Sequence, residues 1–176
     1  LDLRRVIASE GLKAWEIAAV KILGGDRPPR PVPSALNVRE YRAADLDDCL
    51  ALFNAYGGKI ALARAWEREE LGWELDFPDV ARTLVYEKNG RVRGAINFIL
   101  HDHLGKTTER WAWINHVTYD DLSFRERTAF VHAFLGHVRA LGCIGIIEWT
   151  KGYYSPSAFY RAHFFPYFRA VDPYSW

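Results

Sequence analysis

Alternating and helix-spaced hydrophobic residues define most of the chain after residue 36. The stretch NVREYR alternates and predicts a first strand, and ADLDDCLALFNAY has the amphipathic spacing of a first helix. Asp45 stands where an N-cap would begin that helix. The stretch IALARAWEREEL predicts a second amphipathic helix, with an irregular join to the first at Gly57-Gly58.

A hairpin signal follows these two helices. The runs RTLVYEK and RVRGAINFIL have strand composition and are separated by Asn89-Gly90. Asn-Gly between two such runs predicts a two-residue hairpin turn, because both of its residues tolerate a positive φ. The stretch RWAWINHVTY predicts a fourth strand, antiparallel to its predecessor if the intervening HDHLGKTTE is a hairpin loop.

The last third of the chain predicts a helix, a strand, a helix and a strand. A long helix covers FRERTAFVHAFLGHVRAL and ends at Gly142, and the apolar run CIGIIEW suits a buried strand. A short helix lies between Ser155, its predicted cap, and Pro166, and YFRAV predicts a last strand. This order indicates an α/β fold with a mixed, mostly antiparallel sheet and helices on both faces.

Three segments are expected from composition. Residues 1–25 predict the tail of a preceding element or domain, and residues 26–36 contain the proline-rich stretch DRPPRPVPSA and predict an extended linker. Residues 37–176 then form one α/β domain.

Composition narrows the function classes. Lys and Arg number 23 against 22 for Asp and Glu, so no global field attracts nucleic acid. Aromatic residues make up 15%, a high share that predicts a lined pocket or a strengthened sheet. Cys49 and Cys143 have no zinc-type spacing, demand no disulfide, and fit a reducing cytosol. No apolar run is long enough to predict a membrane span.

Five stretches carry a family resemblance in the right order: NVREYRAADLDDCLALFN, VYEKNGRVRGAINFI, INHVTY, RALGCIGIIEW and SPSAFYRAHFFPY. Together they resemble the GNAT superfamily of acyl-CoA-dependent N-acyltransferases, over residues 37 to 176. The resemblance implies a GNAT-like fold that transfers an acetyl group from acetyl-CoA to a small-molecule or peptide amine.

The resemblance also implies catalytic residues. Tyr160 occupies the position of the family's usual acid, which protonates the departing thiolate; the alternative is amphipathic packing beside Phe159. Two residues compete as the base that accepts the amine proton. His116 has a suitable ordinary pKa, and strand alternation predicts that it shares a face with Ile114. Glu148 is a lone carboxylate in an apolar strand, which is costly unless it is paired or functional.

By the same resemblance, the backbone of Val117 and Tyr119 pairs with the pantetheine arm of the acyl donor. The family's phosphate loop is rich in glycine, and the corresponding segment here contains none. Arg125, Arg127 and Thr128 are therefore the predicted phosphate-binding residues, with side chains partly replacing the missing glycines.

Alternative interpretations stay open. The missing glycines favour a non-catalytic domain that serves as a packing partner or small-molecule sensor. The segment EGLKAWEIAAVKIL resembles the end of another copy of the fold, which predicts a tandem protein with a related upstream domain; a homodimer is also possible. His101 and His103 could chelate a metal, but no further ligand has convincing spacing, and no metal is expected.

Overall fold

The computed structural model describes residues 2–27, 37–59, 63–149 and 154–164. Within them, a five-stranded sheet has the same strand order in space as along the chain. All neighbouring strands are antiparallel except the last two, which are parallel. The strands are β1 (Val38–Glu40), β2 (Ala81–Lys88), β3 (Arg91–Leu104), β4 (Thr108–Tyr119) and β5 (Gly145–Glu148).

Helices lie on both faces of this sheet, so the predicted α/β class is confirmed. A short 3-10 turn, Ala43–Asp45, precedes the third helix. The helices are α1 (Leu3–Glu10), α2 (Ala14–Ile22), α3 (Leu46–Gly57), α4 (Arg68–Leu75), α5 (Phe124–Ala140) and α6 (Ser157–Arg161). The predicted last strand, YFRAV, lies outside the described residues, as do residues 28–36 of the predicted linker.

The Asn89-Gly90 hairpin forms as predicted. Asn89 and Gly90 have φ values of +56° and +72°, the left-handed pair that a two-residue turn between twisted strands requires. At the opposite end of β3, the hairpin loop is shorter than predicted. β3 continues through His101 and His103, so only residues 105–107 separate it from β4.

The second helix begins later than the amphipathic pattern predicts. Helix α4 starts at Arg68, and residues 63–67 precede it without helical structure. The amide side chain of Asn54, on α3, donates to the carbonyl of Trp66 at 3.0 Å and accepts from its N–H at 2.8 Å. Because the Asn54 side chain satisfies both the N–H and the carbonyl of Trp66, these groups do not require intrahelical hydrogen bonds.

Two hydrophobic clusters separate the faces. One joins β2, β3 and β4 to α5 and α6, with Phe98, Phe130 and Phe134 fully buried at its centre. The other joins the opposite face to α3 and α4, through residues such as Phe53 and Leu71. Helices α5 and α6 therefore cover one face of the sheet, and α3 and α4 cover the other.

The N-terminal helices contact the sheet. The N–H of Asp2 donates to the carbonyl of Ile144 at 2.8 Å, and Arg5 forms an ion pair with the buried Glu109 of β4. The carbonyl of Leu23 lies 2.9 Å from Nδ1 of His163, just after α6. Residues 2–27 therefore pack against the domain that follows them. Their origin in an upstream domain stays a prediction.

None of the helices in the described part of the chain combines the length and the apolar character that a membrane crossing requires.

Two glycine substitutions should have opposite effects on stability. A Cβ at Gly145 in β5 would overlap the indole ring of Trp111, so Gly145→Ala should lower the free energy of unfolding by about 1–3 kcal/mol. Gly136 lies exposed within α5, with no atom near its missing Cβ, and Gly136→Ala should raise that free energy by about 0.5–1 kcal/mol. Urea denaturation measures both, and equal effects would contradict the Trp111 contact.

Candidate active site where β4 separates from β5

The pairing of β4 with β5 ends halfway along β4. Parallel pairing runs from Trp111 opposite Gly145 to Ile114 opposite Glu148. β4 continues to Tyr119 while it remains paired with β3 on its other side. Within the described residues, the second half of β4 therefore has no strand partner on the β5 side.

A β-bulge stands at this point. Phe98 pairs with Ile114 and the preceding Asn97 pairs with His116, so Asn115 is an extra residue in β4. A bulge places two consecutive residues on one face and shifts the alternation of the residues after it. Both Asn115 and His116 contact Glu74 of α4, on the α3/α4 face.

The prediction that His116 shares a face with Ile114 is therefore wrong. Ile114 and Val117 both belong to the core beneath α5, and His116 lies on the opposite face. Strict alternation fails here because the bulge adds one residue between them.

His116 and Glu74 form a histidine–carboxylate pair. Nε2 of His116 lies 3.1 Å from Oε1 of Glu74, and the same oxygen accepts from the amide of Asn115. The two side chains are partly accessible, at 24% and 31% of full exposure. The buried Asn97 fixes this part of α4, because its amide donates to the carbonyl of Glu74 at 3.0 Å.

Aromatic rings surround the imidazole of His116. The ring centroid of Trp66 lies 5.3 Å away and that of Phe53 lies 5.7 Å away, both edge to face. Trp66 is held there by the two hydrogen bonds from Asn54. The pair thus combines a defined orientation with apolar walls, which is a suitable setting for a general base.

Glu148, the other candidate base, lies on the opposite face of the sheet. It is in register with Ile114, and residues in register on parallel strands point to the same side. Its carboxylate also acts on Tyr119: burial is the main cause that raises the pKa of the Tyr119 hydroxyl, and the charge of Glu148 adds to the rise. The register therefore places Glu148 and His116 on opposite faces of the sheet, with the charge of Glu148 within electrostatic range of the Tyr119 hydroxyl.

The pleat of β4 orients the amides of Val117 and Tyr119. The N–H of Asp120 donates to the carbonyl of Arg93 on β3 at 2.8 Å. Successive N–H groups along a strand alternate in direction, so those of Val117 and Tyr119 point away from β3, toward the side that β5 has left. Backbone donors at these positions can pair with an extended ligand.

Tyr160, the predicted acid, lies on α6. Its neighbours Ala158 and Phe159 are buried in the cluster beneath α5, whereas the Tyr160 side chain is 55% exposed. Tyr160 thus belongs to a helix that packs on the α5/α6 face of the sheet, whereas His116 lies on the α3/α4 face.

The N-terminus of α5, where the predicted phosphate residues begin, is capped by its own side chains. Oγ of Ser123 accepts from the N–H of Glu126 at 3.2 Å, and the carboxylate of Glu126 accepts from the N–H of Ser123 at 2.7 Å. Lys88 pairs with both Glu126 and Asp121. A carboxylate therefore already occupies the position where a helix N-terminus would bind an external anion.

The three predicted phosphate residues do not converge. Arg125 is exposed on the first turn of α5, and the hydroxyl of Thr128 donates to the carbonyl of Phe124 at 2.8 Å within the same helix. Arg127 is half-buried and lies close enough to Tyr119 and Tyr56 for its charge to lower the pKa values of both hydroxyls, against the larger effect of burial.

Glu74 and Asn115 were not predicted from the sequence. Glu74 is one of several acidic residues in REELGWEL, and nothing in that pattern distinguishes it from Glu69 or Glu70. Nothing in the pattern of INHVTY marks Asn115 as the extra residue of a bulge. Among the described residues, no group of three or more His, Cys, Asp or Glu side chains is arranged to hold a metal ion.

Comparisons with known proteins support the fold. No family model matches the chain, and no curated protein matches it by sequence. Solved structures match at low identity. An acetyltransferase of Trypanosoma brucei is 20% identical, with a TM-score of 0.55 over 76% of this chain and 95% of that one.

Two further structures match. Glucosamine-6-phosphate N-acetyltransferase from Arabidopsis thaliana is 15% identical, with a TM-score of 0.52 over 75% of this chain and 97% of that one. Saccharomyces cerevisiae N-myristoyltransferase with bound myristoyl-CoA is 13% identical, with a TM-score of 0.52 over 69% of this chain and 34% of that one. With the strand order and the bulge described above, these matches show that the chain has a GNAT-like fold.

Proposed function

We propose that the protein transfers an acetyl group from acetyl-CoA to an amine of a small molecule or peptide. The observation that carries the proposal is the His116–Glu74 pair at the bulge where β4 leaves β5. There a base, apolar walls and backbone N–H groups that point away from β3 lie along one strand, which is the combination that acyl transfer to an amine requires.

His116 is the proposed base. If Nε2–H donates to the carboxylate of Glu74, then Nδ1 carries the lone pair that accepts a proton from the acceptor amine. Glu74 orients the imidazole and stabilises the imidazolium that forms, in the manner of a carboxylate–histidine pair. Glu74 is therefore a positioning residue, and Asn115 holds the same carboxylate oxygen.

The bond changes balance with two protein groups. The amine nitrogen attacks the thioester carbon, a C–N bond forms, the C–S bond breaks, and the amine proton passes to His116. The departing thiolate takes a proton from the hydroxyl of Tyr160, the exposed tyrosine of α6. The N–H groups of Val117 and Tyr119 are the proposed partners of the pantetheine arm.

The location proposed for this reaction is the cytoplasm. Cys49 and Cys143 are both free thiols, which fits a reducing compartment. Burial raises the pKa of the Cys49 thiol to about 12, so this residue stays protonated and serves as a core residue.

A second candidate function is a non-catalytic GNAT-like domain that packs against a partner or senses a small molecule. The capping box of α5 favours this function, because the N–H groups of Ser123 and Glu126 are bonded within the helix end and are not available to an external anion.

Removing the base should abolish most of the turnover. His116→Gln and Glu74→Gln should each lower kcat by about 10²–10⁴-fold, because general-base catalysis contributes rate factors of this size. The measurement is release of free CoA thiol from acetyl-CoA with a panel of primary amines. Glu69→Gln, on the same helix and exposed, is the matched control and should retain full activity. Equal turnover in all three variants would exclude His116 as the base.

Removing the acid should have a smaller effect. Tyr160→Phe should lower kcat at least about tenfold and leave the KM for acetyl-CoA nearly unchanged, because the hydroxyl acts only as the thiolate leaves. Tyr41→Phe, which removes a half-buried hydroxyl beneath α3, is the control and should keep its kcat. Unchanged turnover in Tyr160→Phe would remove Tyr160 from the mechanism.

A further inference from the structure

A cavity of about 210 Å³ lies beside the end of β4, between α3 and the start of β3. One wall is formed by a ridge of α3 from Asp48 to Tyr56 and by Lys59 just after the helix, and another by Tyr119 and Asp120 at the end of β4. Liquid water takes about 30 Å³ per molecule, so the cavity has room for a phosphate or diphosphate group.

The lining of this cavity carries three cations. Lys59, Arg91 and Arg93 all contribute to it. Asp120 pairs with Arg93 at 2.8 Å, and Asp48 pairs more loosely with Arg91 at 3.6 Å. The ammonium of Lys59 has no carboxylate partner among the described residues and lies 5.7 Å from the ring centroid of Tyr56. One positive charge is thus left over for a ligand.

Two buried donors without hydrogen-bond partners among the described residues belong to Tyr119, which lines the cavity, and to Arg127, which lies near Tyr119. Tyr119, a lining residue, is only 8% exposed, and its hydroxyl has no hydrogen-bond partner among the described residues. Nε of Arg127 is likewise buried without a partner, and the guanidinium lies within electrostatic range of the Tyr119 hydroxyl. Orphaned buried donors are costly, so an acceptor-rich group bound nearby would relieve them.

Tyr119 connects this cavity to the candidate active site. It stands at the end of the open half of β4, four residues after the bulge at Asn115, or about 13 Å along a strand. An acyl donor with its thioester at the bulge and its arm along β4 would bring its phosphates to Tyr119. At the neighbouring N-terminus of α5, the carboxylate of Glu126 already accepts from the N–H of Ser123.

We propose that the cavity between α3 and the ends of β3 and β4 binds a phosphate group, through Lys59 and through guanidinium donors of Arg93 other than Nη1, which binds Asp120. In the acetyl transfer proposed above, on which this second step rests, the group is a phosphate of the acyl donor. The cavity then replaces the glycine-rich loop that the sequence lacks. Phosphate is the expected chemistry because a compact, multiply charged anion matches clustered Lys and Arg side chains.

The test is calorimetric titration with coenzyme A and, separately, with inorganic diphosphate. Lys59→Gln and Arg93→Gln should each weaken binding of both ligands about tenfold, the usual effect of losing one charge-assisted hydrogen bond. Arg139→Gln makes the same charge change on the exposed C-terminal turn of α5 and should bind like the unmodified protein. Thermal denaturation of each variant checks that the fold is retained.

The other outcomes are decisive. Unchanged binding in Lys59→Gln and Arg93→Gln, or a loss in Arg125→Gln instead, would overturn the cavity as the phosphate site while acetyl transfer could still be observed. No binding of either ligand to the unmodified protein would also overturn it. Diphosphate binding that depends on Lys59 and Arg93, without binding of coenzyme A, would support the anion site and contradict acetyl-CoA as the donor.

Discussion

The extra residue Asn115 in β4 is the constraint on which the site depends. It shifts the strand by one position, so that His116 turns to the α3/α4 face while Val117 returns to the core beneath α5. Within the described residues, the pairing with β5 ends at the adjacent Ile114. The bulge therefore sets the orientation of the imidazole beside Glu74, at the point where that pairing ends.

Long-range contacts maintain this arrangement. The buried Asn97 opposite the bulge donates to the carbonyl of Glu74 and to Thr83 at 3.0 Å each, which ties α4 to the sheet. Asn54 holds Trp66 in the same way on the other side of the imidazole. Buried amides that bridge two elements are strong constraints, because breaking one bond leaves a polar group unsatisfied. The site is thus held by polar contacts between elements that are distant in sequence.

What the sequence could predict follows from the range of the interactions involved. The Asn89-Gly90 turn and the apolar face of α5 depend on neighbouring residues, and both were predicted correctly. The start of α4 was predicted too early, because the bonds from Asn54 to Trp66 override a helical pattern. The sheet face of His116 was predicted wrongly for a related reason. A bulge depends on the pairing with the partner strand, and the alternation of polar and apolar residues along one strand does not reveal it.

The same reasoning explains how a GNAT-like fold can lack its glycine-rich loop. Glu126 satisfies the N-terminus of α5 from within, which stabilises the helix without any ligand. If the protein binds an acyl donor as proposed, the cationic cavity at Tyr119 offers a place for its phosphate. Fold and phosphate recognition would then depend on different residues.

The most direct test of the account is residue-resolved amide exchange, measured by NMR with and without saturating coenzyme A. Coenzyme A should slow exchange at the amides of Val117 and Tyr119, which point away from β3, and leave that of Ala112, within the β4–β5 pairing, unchanged. Equal exchange at Val117 and Tyr119 in both states would show that this edge of β4 does not receive the acyl donor.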